Sequence, residues 1–405
     1  MADAGLYGTV LMPAALAVEY GLQVPFGWDL KPLDPWMAGR WESRVLEVLR
    51  LGMLVAGARR GGLNYRMKVR AKRRPLPAAE MLAWRILSKA TDPLPVVRGL
   101  GRALPAPRTP FPAGCTHLIL PTMIHDDAQQ AGIVRAARRA GAAILAIPAG
   151  FDNLVTKGAF LEQPDRIAVW GAASYRHAID RHGFAPGQVT ITGPPHFWPY
   201  SKTARISKLV MPQNHYVVFA GTTVNYAADE FQIIKDLADR LRGTDILVLY
   251  RPHPRRTLTH EMVALLKECG IVMDPKWGGG WSGDPAGIPW VRQICEGALC
   301  TISAFSTVVL ESALVGTPSI LIGFGDSTAG HAVLEHSRYE HMAEIMDQQG
   351  VKTVKYMTDV VELIEACRRG DRPKMDAIRH WAIEIAAVDT DPRENLIAWL
   401  KETAA

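Results

Sequence analysis

The chain has 405 residues, enough for about two or three domains, and its 48% hydrophobic and 21% charged residues are typical of a globular protein. This composition excludes a disordered or fibrous chain. The five cysteines are scattered without a CxxC spacing, which argues against a disulfide framework or structural zinc site and favours a reducing cytosol.

The N-terminal sequence MADAGLYGTVLMPAALAVEY has no basic residues ahead of its apolar stretch, and the chain has no uninterrupted apolar run of 18 residues. These features predict neither a secretory signal nor a membrane-spanning helix. We therefore expect a cytoplasmic protein.

The basic residues are concentrated near the N-terminus. Residues 1–110 hold 17 Lys and Arg against eight Asp and Glu, a net of +9, whereas the remainder holds 29 against 32, a net of −3. Eight basic residues and no acid lie between Arg59 and Arg74. This segment could be a solvated helix face or arm, or could meet an anionic lipid surface. Nucleic acid is not the expected partner, because no nucleic-acid motif accompanies the charge.

The first 115 residues give few regular patterns. GTVLM, ending at Met12, could be the first strand of an N-terminal sheet, and helical patterns cover 41–56 and 78–87. The proline-rich stretch from Pro93 to Pro112 predicts a connector.

From Thr116 onward, short apolar runs alternate with helical stretches, which predicts βα units and a parallel sheet. The first series has strands at 117–120, 143–148, 166–170 and 189–192, with helices at 126–141 and from about 174. After an irregular stretch, 194–215, the second has strands at 216–220, 246–250, 299–303 and 319–322, and helices at 227–241, 258–269 and 307–315.

We accordingly predict an α/β protein with two Rossmann-like domains in tandem. The predicted boundaries are 1–196 for the first domain, 197–214 for a linker and 215–375 for the second domain. Helical patterns at 375–387 and 393–402 predict that 376–405 forms terminal helices that could pack back on the first domain.

The segment YRPHPR follows a predicted strand. Ligands of parallel α/β sheets bind at the carboxyl ends of strands, so a cationic turn there suits a phosphate. Arg251 and Arg255 could donate bidentate hydrogen bonds, and His253 adds a donor. A solvated basic turn is the alternative.

The segment TISAFSTVVLESALVGTPSILI reads as strand, turn, helix, turn and strand. Ser303, Ser306 and Thr307 crowd the turn before the helix, whose N-terminus could bind phosphate. Glu311 is the only charge of the segment and could accept hydrogen bonds from ribose hydroxyls. Alternatively, Ser306 is a helix cap and Glu311 a surface residue.

The segment AGFDNLVTKG also follows a predicted strand. Asp152, Asn153, Thr156 and Lys157 combine an acid, an amide, a hydroxyl and an amine within six residues, which suits a catalytic or acceptor-binding loop. The alternative is a turn stabilised by its Asp and Asn side chains.

His125 and Asp126 follow the first strand of this series. They resemble metal ligands only in composition, and Asp126 could simply cap the next helix.

Several motifs in one order resemble bacterial surface-carbohydrate biosynthesis proteins with the GT-B glycosyltransferase fold. FDNLVTKG resembles a WDNLTSKG-type segment, with Phe151 where Trp or a polar residue is usual, and PDRIAVWG, HGF and VTITGPPHF follow it. The second half is similar to CDP-glycerol glycerophosphotransferases and bacterial sialyltransferase-like enzymes, which carry an RxHP motif and a later Ser/Thr-rich motif. ESALVGTP resembles the E-A-x-x-x-G-x-P element of GT-B donor sites.

This resemblance implies two domains that face each other across a cleft. Arg251, His253, Ser303, Ser306 and Thr307 would hold the nucleotide phosphates of the donor, and Glu311 its ribose. The donor would be of the CMP, CDP or UDP type, with no cofactor and no bound metal, and the acceptor a glycan or lipid-linked hydroxyl. Asp152 would be the base, and His125 and Asp126 are the next candidates for this role.

Two other functions stay open at this point. One is a UDP-N-acetylglucosamine 2-epimerase-like enzyme, which needs no acceptor. The other is a non-catalytic nucleotide-binding protein.

Overall fold

The computed structural model describes most of the chain from residue 111 onward and parts of the region before it. The described residues are 9–12, 29–32, 40–60, 82, 85–86, 89, 92, 94–103, 111–122, 128–157, 160, 162–206, 215–222, 230–253, 256–276, 287–304, 306–323, 339–346 and 348–404.

The chain forms two compact units. The first comprises residues 1–195, 385–387 and 392–405, and the second comprises 196–384 and 388–391. In both units the described strands are parallel, and helices connect them. The predicted α/β class with two parallel sheets is confirmed.

The strands and helices of the first unit are numbered in chain order. Its strands are β1 (Thr9–Met12), β2 (Asp29–Pro32), β3 (His117–Thr122), β4 (Ala143–Pro148), β5 (Arg166–Val169) and β6 (Val189–Ile191). Its first five helices are α1 (Arg40–Arg59), α2 (Leu94–Ala103), α3 (Ala128–Arg139), α4 (Asn153–Thr156) and α5 (Ala172–His182), with a 3-10 turn at Pro186–Gln188.

The main sheet of the first unit follows chain order, β3-β4-β5-β6. Apolar residues of β4 and β5 pack against a helix from the end of the chain, whose Leu396, Trp399 and Leu400 complete a buried cluster with Leu145 and Ala168. The C-terminal residues 392–405 thus belong to the first unit.

Two expectations for the N-terminal region are wrong. The strand at Thr9–Met12 pairs with β2 in a separate two-stranded sheet and not with β3. The supposed connector contains α2, because Pro95 lies in the first helical turn, where no N–H is needed. Asp92 accepts a hydrogen bond from the Leu94 N–H at 3.1 Å, and the apolar side of α2 buries Leu94 and Val97.

The second unit contains six further strands. They are β7 (His215–Ala220), β8 (Ile246–Arg251), β9 (Val272–Met273), β10 (Thr301–Ser303), β11 (Ser319–Ile322) and β12 (Val351–Val354). The helices are α6 (Glu230–Arg240), α7 (His260–Glu268), α8 (Gly287–Glu296), α9 (Val308–Leu314), α10 (Glu340–Ala343), α11 (Met357–Arg368) and α12 (Met375–Ile385), with a 3-10 helix at Pro195–Tyr200 at its start; α13 (Pro392–Ala404) returns to the first unit.

The strands of the second unit run β12-β11-β10-β7-β8-β9. Their near-continuous apolar sequences are typical of parallel strands covered on both faces. Val217 and Phe219 of β7 pack into one core cluster, whereas Tyr216 and Val218 pack into another with α8. This alternation follows from the two-residue period of a strand.

Within the described residues, no helix is both long and apolar enough to cross a membrane.

Candidate functional site

The order of the second sheet defines its binding edge. If the six strands are renumbered 1 to 6 along the chain, their order across the sheet is 6-5-4-1-2-3. Read from the other edge, this is the 3-2-1-4-5-6 order of dinucleotide-binding folds. The connections change direction between β7 and β10, and ligands of such sheets bind in the crevice at the carboxyl ends of the strands at this point. The site is therefore sought around the end of β7.

The strand register brings predicted residues to this edge. Ala220, the last residue of β7, pairs with Ser303 of β10 on one side and with Arg251 of β8 on the other. Two strand spacings separate Ser303 from Arg251, about 10 Å between their backbones. These two residues come from motifs 52 positions apart and flank one strand end.

Gly221 follows Ala220 in a confined position. Its N–H donates to the Arg251 carbonyl at 2.8 Å. An added Cβ would lie 2.6 Å from Glu230 Oε1 and 3.2 Å from the His253 backbone nitrogen. Any larger residue at position 221 would displace the Glu230 side chain or the His253 backbone, so only glycine fits here.

Arg251 forms an ion pair with a residue that the motif search missed. One terminal nitrogen, Nη1, donates to Oδ2 of Asp274, which follows β9. The Asp274 side chain is completely buried, and its Oδ1 accepts a hydrogen bond from Trp290 Nε1 at 2.7 Å. The Arg251 side chain is 23% exposed, so it connects a buried carboxylate to the sheet edge.

His253 lies in a tight turn after β8. Its carbonyl accepts a hydrogen bond from the Arg256 N–H at 2.8 Å, and its side chain is half-buried. Arg255 lies outside the described residues.

A buried polar cluster lies behind this turn. Glu230, at the start of α6, accepts a hydrogen bond from the Thr222 N–H at 2.7 Å and another from the Tyr250 hydroxyl. Arg256 pairs with Glu230 at 3.3 Å and donates to the Thr222 carbonyl at 2.9 Å. Both charged side chains are buried. Their hydrogen bonds with Thr222 connect the loop after β7 with the loop after β8, which carries Arg256.

The turn after β10 contains Ser306 and Thr307, two of the residues predicted to bind phosphate. Ser306 Oγ accepts a hydrogen bond from the Val308 N–H at 3.3 Å, a contact of the kind expected if Ser306 caps the helix. Thr307 is exposed. The following helix, α9, has only seven residues.

Glu311 of α9 does not lack a polar partner. Tyr200 donates its hydroxyl to Glu311 Oε2 at 2.6 Å. Burial raises the pKa of Glu311, while the Tyr200 hydrogen bond and the positive charge of Arg251 lower it. Burial and the Glu311 charge likewise raise the pKa of Tyr200. The carboxylate of Glu311 thus lies within the electrostatic reach of Arg251, at the same end of the sheet.

The predicted loop of the first unit follows β4. Thr156 donates its hydroxyl to Asp152 Oδ2 at 2.8 Å, and Asn153 Nδ2 donates to Oδ1 at 3.3 Å. Asn153 is buried and accepts a hydrogen bond from the Gly150 N–H at 2.9 Å. Asp152, Thr156 and Lys157 stay half-buried. Asn153 therefore shapes the turn, whereas the other three retain access to solvent.

Phe151, the departure from the family pattern, is buried. Its ring centroid lies 6.1 Å from that of Trp170, whose Nε1 donates to the Pro148 carbonyl at 2.9 Å. The aromatic pair anchors the base of the loop on β4 and β5.

His125 and Asp126 lie outside the described residues, so their role as the next candidates for the base after Asp152 stays a prediction. Among the side chains that the structure describes, no group of three His, Cys, Asp or Glu residues is arranged to hold a metal ion.

Five residues of the second unit that take part in these contacts belong to none of the sequence motifs. They are Tyr200, Glu230, Arg256, Asp274 and Trp290. The Asp-Pro pair at 274–275 after a short apolar run was a usable sign of a strand end. Tyr200 lies in an irregular segment and gave no such sign.

Neither a family model nor a curated protein matches this chain. Among solved structures, the UDP-GlcNAc 2-epimerase of Methanocaldococcus jannaschii is similar with 9% identity and a TM-score of 0.48, over 98% of this chain and 100% of that one. A glycosyltransferase from Rickettsia africae has 12% identity and a TM-score of 0.39, over 70% and 76%. The wall teichoic acid polymerase TagF (H444N variant) has 12% identity and a TM-score of 0.39, over 59% and 58%. At these scores the similarities establish neither a family nor an activity.

Proposed function

We propose that this protein is a GT-B-type glycosyltransferase or a related glycerophosphotransferase. It would move a sugar or polyol-phosphate unit from a nucleotide-activated donor of the CMP, CDP or UDP type to an acceptor hydroxyl in surface polysaccharide or glycan synthesis. The observation that carries the proposal is the position of Arg251 at the switch point of the second sheet, where only β7 separates it from β10, the strand whose following helix carries Glu311.

The two charges suit the two ends of a nucleotide. A guanidinium matches phosphate oxygens bidentately, and His253 adds a second donor beside it. A carboxylate that takes one hydrogen bond from Tyr200 can accept others from ribose hydroxyls. This pairing supports a nucleotide more strongly than it supports free phosphate.

The proposed chemistry is electrostatic. When the bond from the donor to the nucleotide breaks, negative charge grows on the leaving phosphate, and a preorganised cation stabilises it. Arg251 and His253 supply this stabilisation in the proposal, without a metal ion. Ser303, Ser306 and Thr307 line the neighbouring strand end.

The first unit would present the acceptor. Asp152 would take the proton of the attacking hydroxyl, with Thr156 and Lys157 beside it. We propose a cytoplasmic enzyme that works at the inner face of the membrane on a glycan or lipid-linked acceptor.

Calorimetric titration with CMP, CDP, UDP, GDP and TDP tests the donor site. Glu311→Gln and His253→Ala should each weaken binding of the preferred nucleotide about 5- to 150-fold, the equivalent of about 1 to 3 kcal/mol for a hydrogen bond to a charged group. Glu268→Gln is the matched control, because Glu268 is an exposed residue of the same unit, and it should bind like the wild type.

Product analysis separates the remaining functions. Transfer that requires an acceptor and survives chelation supports the proposal. Conversion of the nucleotide sugar without acceptor identifies an epimerase, and binding without any turnover identifies a non-catalytic protein. Activity lost on chelation and restored by magnesium or manganese contradicts the metal-free mechanism.

A further inference from the structure

We infer that Asp274 and Trp290 are positioning residues that hold the Arg251 guanidinium in place for the donor diphosphate. The inference rests on the proposed function, since it concerns the same nucleotide site. Neither residue belongs to the motifs that predicted that site.

The register of the sheet places Asp274 beside Arg251. β8 and β9 pair Leu249 with Val272 and Tyr250 with Met273. The Asp274 N–H donates to the Tyr250 carbonyl at 2.9 Å, which extends the ladder by one residue. Neighbouring side chains at one level of a parallel sheet share a face, so the two charged groups meet.

The Asp274 carboxylate has little freedom to move. Its Oδ1 accepts hydrogen bonds from Trp290 Nε1 at 2.7 Å and from the Lys276 N–H at 2.9 Å, and its Oδ2 accepts from Arg251 Nη1. Trp290 is itself buried in the core cluster between α8 and the sheet. The carboxylate is therefore held by three donors, one on β8, one on α8 and one in its own turn after β9.

A fixed carboxylate orients the guanidinium. Arg251 has five N–H donors in one plane, of which Asp274 engages one at Nη1. An arginine already held in one orientation loses less freedom when it binds phosphate, so its contacts contribute more to affinity. Arg251 also remains partly exposed at the sheet edge, where a ligand can reach it.

A purely structural ion pair is the competing explanation. It would affect folding and the whole site alike, whereas an orienting role concerns phosphate contacts alone. The ratio of nucleoside diphosphate affinity to nucleoside affinity separates the two, because the nucleoside lacks the phosphates that Arg251 would bind.

The test compares the nucleoside diphosphate that the wild type binds most tightly among CDP, UDP, GDP and TDP with its own nucleoside. A wild type that binds CMP but none of the four diphosphates would also overturn the inference. Asp274→Asn should weaken diphosphate binding about tenfold and leave nucleoside binding unchanged, because the amide places a donor opposite Arg251. Trp290→Phe, which removes the indole N–H but retains an aromatic ring, should weaken diphosphate binding about threefold. Asp239→Asn, in an exposed ion pair with Arg242, is the control and should change neither affinity.

Equal losses for diphosphate and nucleoside, or no loss for either, would overturn the inference while leaving the proposed function standing. If Asp274→Asn does not fold, as judged by circular dichroism, Trp290→Phe decides by the same ratio. A wild type that binds none of the nucleotides would overturn both the inference and the proposed function.

Discussion

At the scale of single residues, Asp152 combines a structural and a proposed catalytic task. Both of its carboxylate oxygens accept hydrogen bonds from its own turn, one from Thr156 and one from Asn153. A carboxylate has about four lone-pair sites, so these two bonds leave room for a substrate hydroxyl. The hydrogen bonds within the turn would then orient the Asp152 carboxylate and leave it able to accept a proton from the substrate.

Replacing Asp152 by Asn should retain nucleotide affinity and reduce turnover by about two orders of magnitude or more, because the amide cannot take the acceptor proton. Steady-state kinetics with saturating donor measures the loss. Asp180→Asn, at an exposed position on α5 of the same unit, is the matched control and should have wild-type kinetics. If Asp152→Asn turns over normally, His125 or Asp126 takes the role of base in its place.

At the scale of secondary-structure elements, α5 ends in a buried histidine. His182 Nε2 lies 2.7 Å from the Leu154 carbonyl, and its ring centroid is 5.4 Å from that of Phe160. Burial lowers the pKa of His182 to about 3, and the positive charge of Arg98 acts in the same direction. The Arg98 guanidinium lies close to His182, to whose carbonyl its Nη2 donates a hydrogen bond at 3.2 Å.

This histidine should make the first unit sensitive to acid. Unfolded His182 binds a proton below about pH 6.5 while the native form stays neutral down to about pH 3, so the unfolded state gains protons as the pH falls. The free energy of unfolding should therefore drop by about 1.4 kcal/mol per pH unit within that window.

Urea unfolding of the wild type and of His182→Gln at pH 7 and pH 5 measures the effect. The glutamine amide can still donate to the Leu154 carbonyl but does not titrate, so the variant should lose less stability between the two pH values. An equal loss in both proteins would show that burial of His182 has no influence on acid sensitivity.

At the scale of the whole molecule, the excess positive charge is concentrated in the first 110 residues of the chain. The basic excess of residues 1–110 includes the segment Arg59–Arg74, of which only Arg59 and Arg60 are described. Arg59 is exposed, whereas Arg60 pairs with Asp92 at 2.7 Å. Leu82 and Ile86, two described residues of the same N-terminal region, are exposed. Basic and apolar side chains together suit the surface of an anionic bilayer.

We expect the protein to co-sediment with anionic vesicles and not with zwitterionic ones, and less strongly as salt is added. Each basic residue near an anionic surface contributes about 1 kcal/mol, and the attraction decays over about 10 Å in 0.1 M salt. Replacing Arg70, Lys72, Arg73 and Arg74 by Gln should weaken co-sedimentation and leave nucleotide binding unchanged.

Four exposed basic residues of the second unit, replaced by Gln together, form the matched control: Lys235, Arg240, Lys267 and Lys276. This variant has the same net charge as the first and should bind vesicles like the wild type. Equal, negligible binding to both lipid types at low salt would leave the segment as a solvated arm or a protein contact.

The sequence alone predicts most of the strands and helices from residue 116 onward. The runs AILAIP and SILI are strands at the predicted residues, 143–148 and 319–322, because buried parallel strands are continuously apolar. The motif search also found residues at the carboxyl ends of β8 and β10, since such ends are recognisable from strand and turn composition alone. Short strands such as β9, with two residues, left too little pattern to predict.

Which of these residues contact one another follows from the assembled fold and not from the sequence motifs. Arg251 pairs with Asp274, 23 positions later, because β8 and β9 are neighbours in register, and Tyr200 reaches Glu311 across 111 positions. Strand order and register depend on packing between distant segments, which local composition does not encode. A charged residue at a strand end is therefore visible in the sequence, whereas the partner that orients it becomes visible only when the sheet is assembled.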